Sequence, residues 1–192
     1  MEARRRGDEP MPREYTQRRF ELRQILMAEW KGRLENPSAG HATIAAIRPV
    51  MEDWLGRHHG ALSFRLTQIL TGHGCFGKYL CRIGREQSPG CHHCDDCLED
   101  TAQHTLEVCP AWAGQRRALE NTAAGDLSLP TIVQTILRSE SAWNTAASFC
   151  EEVMSAKEAA ERDRERTSTL PTLAGDEPGA GEQPMTSGLH EL

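Results

Sequence analysis

Residues 91–109 read CHHCDDCLEDTAQHTLEVC, from Cys91 to Cys109. Within them Cys91, Cys94, His104 and Cys109 have the spacing C-x2-C-x9-H-x4-C, which offers three thiolates and one imidazole, a full tetrahedral shell for zinc. Cys91-x2-Cys94 is a tight knuckle that turns two sulfurs toward one point. His104 and Cys109 lie five apart on Thr101 to Val108, a segment able to form a short helix, and Pro110 stops that helix beside Cys109. With all four positions filled by protein, none is left for water or substrate, so the expected zinc is structural. His92, His93 and Cys97 share the stretch, and each can stand in for one of the four.

Working outward, the seven cysteines follow an N-terminus, MEARRRGDEPMPRE, that is charged throughout. Clustered thiols without an apolar leader point to a reducing compartment and to metal rather than disulfides, which predicts an intracellular protein, cytoplasmic or nuclear. No apolar run is long enough for a membrane span. The 192 residues suffice for one modest domain with tails. Only 5% are aromatic, so the core is expected to be aliphatic and small, and a metal staple would help it fold. The net charge of -6 is uneven: 11 Lys/Arg face 9 Asp/Glu over residues 1–60, 6 face 7 over 61–120, and 5 face 12 over 121–192. From Arg57 to Arg85 the chain carries Arg57, Arg65, Lys78, Arg82 and Arg85 and no acid, a local basic patch ahead of the knuckle.

Periodicity makes the remainder mainly α. Residues 1–12, with Arg4-Arg5-Arg6, prolines and a glycine, are expected to be disordered. Residues 13–58 read as a helical pair. Leu22, Leu26, Trp30 and Leu34 form an amphipathic stripe from Arg13 to Leu34, and a second helix from Pro49 to His58 turns Met51, Trp54 and Leu55 inward. Trp30 and Trp54 are expected in the core. Residues 59–121 combine a helix after Gly60, with Leu62, Leu66, Ile69 and Leu70 buried, a turn at Gly72-His73-Gly74, a short helix over Cys75 to Cys81 and the knuckle module. Residues 122–166 hold two more helices, Leu129 to Arg138 and Ala142 to Arg166. The last puts Trp143, Ala147, Cys150 and Met154 on one face before a charged run from Lys157. Residues 167–192 read as a disordered acidic tail.

Several of these residues also carry a resemblance. Thr67-Gln68, Thr71-Gly72-His73-Gly74-Cys75-Phe76, Tyr79-Leu80, the knuckle, Asp100-Thr101-Ala102-Gln103-His104-Thr105-Leu106 and Cys109-Pro110 resemble the C-terminal end of arthropod non-LTR (LINE-type) retrotransposon polyproteins of the ribosomal-DNA-inserting clade. Trp30, Pro49, Trp54 and Arg57-His58-His59-Gly60 are similar to the same family, so the resemblance covers residues 20–120. It implies a segment lying after the fingers, palm and thumb of a reverse transcriptase and ending in a CCHC zinc knuckle. Such a knuckle is expected to grip element RNA or target DNA during target-primed reverse transcription, with the parent reverse-transcriptase domain as a further partner.

The departures bound that implication. Asp95-Asp96 lies inside the knuckle rather than after an aromatic pair on a strand, and two-metal polymerisation needs three carboxylates converging from a sheet. The chain is therefore expected to hold no polymerase or endonuclease site and to be a remnant or 3′ piece of an element. Around the knuckle, Lys78, Arg82, Arg85, Arg116 and Arg117 are the expected phosphate contacts. Asp95, Asp96, Glu99 and Asp100 would repel phosphate, so binding should be weak and salt-dependent. The alternative is a zinc-stapled helical protein-interaction module. His73 with Cys75 and Cys81 offers an incomplete second set of ligands, better read as core packing.

Overall fold

A single buried stripe on the last helix organises the chain. The computed structural model describes residues 12–95 and 97–169, and among them every regular element is helical. In order these are α1 (Pro12–Arg33), α2 (His41–Ile47), a 3-10 turn (Arg48–Val50), α3 (Met51–Gly56), α4 (Phe64–Thr71), α5 (Gly77–Arg82), α6 (Ala102–Glu107), a 3-10 turn (Pro110–Trp112), α7 (Ala113–Thr122), α8 (Leu129–Arg138) and α9 (Glu140–Thr169). Of the segments expected to be disordered, residues 1–11 and 170–192 lie outside the described residues, while residue 12 begins α1 and residues 167–169 continue α9 past its expected end at Arg166.

Along α9 the residues Trp143, Ala146, Cys150, Val153 and Met154 recur at helical spacing and are buried. This face packs against α4, α7 and α8, while α2 lies on α8. Trp54, Leu66, Ile69, Phe76, Leu106, Trp112, Ile132 and Ile136 complete one core. Local chemistry sets the helix ends. The Ser63 hydroxyl accepts from Leu66 N at 3.1 Å at the start of α4, the Ser139 hydroxyl accepts from Ala142 N at the start of α9, and Gly72 closes α4 at φ 68°. No described helix is long and apolar enough to cross a membrane.

Three expectations fail here. The α1 stripe is not core: Leu22, Leu26 and Trp30 are each more than half exposed, and Met27 is the buried residue of that helix. α1 leans on the body through Met27, the Lys31–Glu52 pair at 2.7 Å and Arg48 Nε donating to Lys31 O. Leu55 and Leu62 are also exposed: Leu55 lies in α3 one residue beyond Trp54, off the face that Met51 and Trp54 bury, and Leu62 precedes α4, which starts at Phe64. Finally, the charged run of α9 is not wholly solvated: Lys157 and Glu161 are buried. They follow Cys150 and Met154 by seven residues, which keeps them on the buried stripe.

Candidate metal centre

The knuckle is built between two anchored ends. After α5, the loop through Pro89 and Gly90 returns to the start of that helix, so close that a Cβ on Gly77 would sit 2.2 Å from Gly90 O. Glycine is required there. Asp100 then fastens the far side of the knuckle. Its backbone N donates to Pro89 O at 2.8 Å and its carbonyl accepts from Lys78 N at 3.0 Å. Its carboxylate accepts from Gly77 N at 3.0 Å and from the Lys157 ammonium at 2.9 and 2.7 Å. The ammonium also lies over the Phe76 ring. Asp100 and Lys157 form a buried, doubly hydrogen-bonded ion pair that ties α5, the knuckle and α9 together.

From that anchor the chain enters α6, where the Thr101 hydroxyl caps by accepting from His104 N at 3.0 Å. The helix ends at Glu107 and brings His104 and Cys109 to one side. Cys91, Cys94, His104 and Cys109 present one donor atom each, all within 4.8 Å of one another. Cys94 Sγ lies 3.4 Å from His104 Nε2, close to the ~3.6 Å separating a sulfur and a nitrogen ligand of one tetrahedral zinc. Without a cation the set is uncomfortable. Burial, and after it the Cys91 and Cys109 sulfurs, push the Cys94 thiol up to about 12, burial raises Cys109, and burial lowers His104. Three crowded thiols and a neutral imidazole suit a divalent ion, and the donor set fits zinc.

The neighbouring candidates are engaged elsewhere. The His93 ring packs 4.8 Å from Trp112, and burial, then Lys157, lowers its pKa to about 4. His92 Nε2 faces Glu86 at 3.4 Å, and the Cys97 thiol donates to Glu99 O at 3.1 Å. His73 stacks on Tyr79 with ring centroids 4.8 Å apart, while the Cys75 thiol donates to Glu161 at 2.6 Å. Among the described residues no second cluster of this kind forms.

The basic residues fare differently from one another. Arg116, expected at phosphate, is instead buried, donating to Cys109 O at 2.5 Å and Thr105 O at 3.3 Å. It braces the carbonyls around His104 and Cys109 and is turned away from solvent. Lys78 pairs with Glu99 at 2.7 Å, and Arg85 pairs with Glu161 at 3.1 Å and with Glu165. Arg65 meets Glu151 at 2.6 Å and Glu158 at 2.8 Å. Of the patch that meets no acid in sequence, Arg65 and Arg85 meet carboxylates of α9 in space and Lys78 meets Glu99 of the knuckle. Arg82 and Arg117 are exposed, and the Arg82 guanidinium lies 5.1 Å over the Tyr79 ring, which carries His73 on the stack described above.

Comparison with known proteins adds a relationship. No family model matches the chain, and no solved structure matches it. It is 30% identical over 106 residues to the retrovirus-related Pol polyprotein from type-1 retrotransposable element R1 4 of Nasonia vitripennis, a match covering 53% of this chain and 25% of that protein. It is 30% identical over 140 residues to the putative 115 kDa protein in type-1 retrotransposable element R1DM of Drosophila melanogaster, covering 72% of this chain and 13% of that protein. The chain thus spans a quarter or less of the length of these relatives. This helical domain with its Cys/Cys/His/Cys cluster is distantly homologous to part of the R1-type non-LTR retrotransposon polyproteins.

Proposed function

We propose that this chain is a nucleic-acid-binding module of a retroelement polyprotein, a zinc-stapled helical domain that grips element RNA or target DNA during target-primed reverse transcription. It would act beside the reverse-transcriptase part of its parent and supply no polymerase step itself. Cys91, Cys94, His104 and Cys109 would hold the zinc, whose chemistry there is a tetrahedral cross-link with no open position. The observation that carries the reading is the stack of His73, Tyr79 and Arg82 at α5, the helix whose Gly77 and Lys78 amides donate to Asp100 after the knuckle. Unpaired bases can stack on such a face while Arg82 and Arg117 neutralise phosphates. Lys78 and Arg85 share their charge with Glu99, Glu161 and Glu165, so they contribute less, and binding is weak and salt-dependent.

The test is fluorescence anisotropy of a short unstructured RNA at low salt, repeated at rising salt. Replacing Arg82 and Arg117 together by alanine should weaken binding and reduce the salt slope by about 0.7 for each phosphate no longer neutralised. Replacing the exposed α1 residues Arg18 and Arg19 should do much less. Equal losses from both pairs would mean diffuse charge attraction. No binding by the parent protein would favour the second reading, a protein-interaction module, which the exposed Leu22, Ile25 and Leu26 on α1 support.

A further inference from the structure

A groove of about 580 Å³ opens between α3 and α8. Arg57, His58, His59 and Arg138 line it. Arg57 sits with its guanidinium 4.3 Å from the Trp54 ring centre and 4.9 Å from that of Trp143, while one terminal nitrogen donates to Trp54 O. Its buried Nε finds no partner among the described residues. Burial alone lowers its pKa. Arg48, Arg65, Arg85 and Arg164 each meet a glutamate, whereas Arg57 forms no ion pair among the described residues. The tryptophan clamp fixes the planar fork in place, and a partly desolvated cation of this geometry is suited to an oxyanion.

The surroundings strengthen the case. His59 donates from Nε2 to Ile136 O at 3.0 Å, which pins the segment to α8. Gly60, at φ 76°, lets Trp143 approach to where a Cβ would be 2.1 Å from the ring. Arg57-His58-His59-Gly60 is thus one unit, whose glycine admits the tryptophan that clamps the arginine. Arg23 of α1 comes to 4.0 Å from a Cβ built on Gly56, at the groove wall. Two carboxylates share the wall: Glu52 is paired with Lys31 at 2.7 Å, and Asp53 forms no ion pair among the described residues. Trp143 and Lys157 lie fourteen residues apart on α9, so about 20 Å of helix separates the groove from the knuckle anchor.

We infer that this groove is a phosphate-binding site, centred on Arg57 and Arg138, that takes a backbone phosphate of the same nucleic-acid strand that reaches the knuckle. The identity of its occupant rests on the nucleic-acid reading above, whereas its oxyanion chemistry does not.

The zinc-loaded protein is titrated first with inorganic phosphate and then with the short RNA, following the His58 and His59 ring signals by NMR and the RNA affinity by anisotropy. Both titrations should move both histidines. Arg138→Gln, at an exposed position outside the core, should abolish the phosphate response and weaken the RNA about tenfold. Asp53→Asn should tighten RNA binding by removing a repulsive charge. Arg57→Lys, accepted only if its melting curve is unchanged, should fail as well, because an ammonium lacks the fork. Arg82→Ala with Arg117→Ala should weaken RNA yet leave the phosphate response intact. If RNA binds and the knuckle pair weakens it, but Arg138→Gln and Asp53→Asn change nothing, the groove proposal is overturned and the knuckle reading stands. If no RNA binds, a nucleic-acid occupant is overturned together with that reading. A phosphate response that disappears in Arg138→Gln would then still support the oxyanion site, and the absence of any response in the parent protein would overturn that too.

Discussion

At the scale of single residues, Asp100 and Lys157 do most to position the metal cluster. Lys157 is 1% exposed, and an unpaired ammonium at that depth would be costly, so the pair must be kept or removed as a unit. Lys157→Met should destabilise the protein by about 3–5 kcal/mol, because it leaves a buried carboxylate uncompensated, and adding Asp100→Asn should recover part of that loss. Urea denaturation of the single and double variants checks this, and additive losses would show that the two do not act as a pair. Gly77→Ala pushes a methyl into the Gly90 carbonyl and should cost about 1–3 kcal/mol while lowering zinc affinity in competition with a chelator. Unchanged affinity would mean the knuckle loop moves freely past α5. The clustering of Cys91, Cys94, His104 and Cys109 is legible in the sequence because the chemistry of such a set fixes residue type and spacing. Lys157 is not, since a lysine in a charged run reads as solvated. Its position seven residues after Cys150, on the stripe of Trp143 and Met154, is the available signal. Arg116 misleads for the same reason: a sequence shows charge but not the two carbonyls that draw the side chain inward.

Among whole elements, α8 and α9 can be placed from periodicity because their apolar faces are continuous and bury against several partners. For α1 the pattern locates the helix but misleads about its burial. Its apolar residues lie on more than one face, and the body offers a single landing for Met27. The contrast can be measured. Met27→Ala should lower stability by roughly 2 kcal/mol, as for a buried methionine. Leu22→Glu and Leu26→Glu should change it by less than about 0.5 kcal/mol, as exposed positions do. Thermal melts of the three variants decide the matter, and a large loss from either leucine would mean that α1 packs on the body through its stripe after all. α9 is the opposite case, an apolar spine whose later acids collect Arg65 of α4 and Arg85 of the loop after α5. Arg65 and Arg85 look unopposed in the sequence only because their partners lie more than seventy residues further along the chain.

Taken whole, the molecule is a small helical domain whose core is not the aliphatic one that the low aromatic content predicts, since Trp54, Phe76, Trp112, Trp143 and Phe149 are part of it, and it meets the Cys/Cys/His/Cys cluster through Leu106, Cys109 and Trp112. A zinc ion held there would cross-link two chain segments and stabilise the fold in proportion to its affinity. The similarity to R1-type polyproteins covers a quarter or less of their length. The measurement that bears most directly on this account is the zinc content of the purified protein, taken alongside its melting curve, for the parent chain and for Cys94→Ser. The parent should hold about one zinc per chain and lose its cooperative transition when a strong chelator removes the metal, while Cys94→Ser should purify with little zinc and melt early. A parent chain that is folded, free of zinc and indifferent to the chelator would contradict the account.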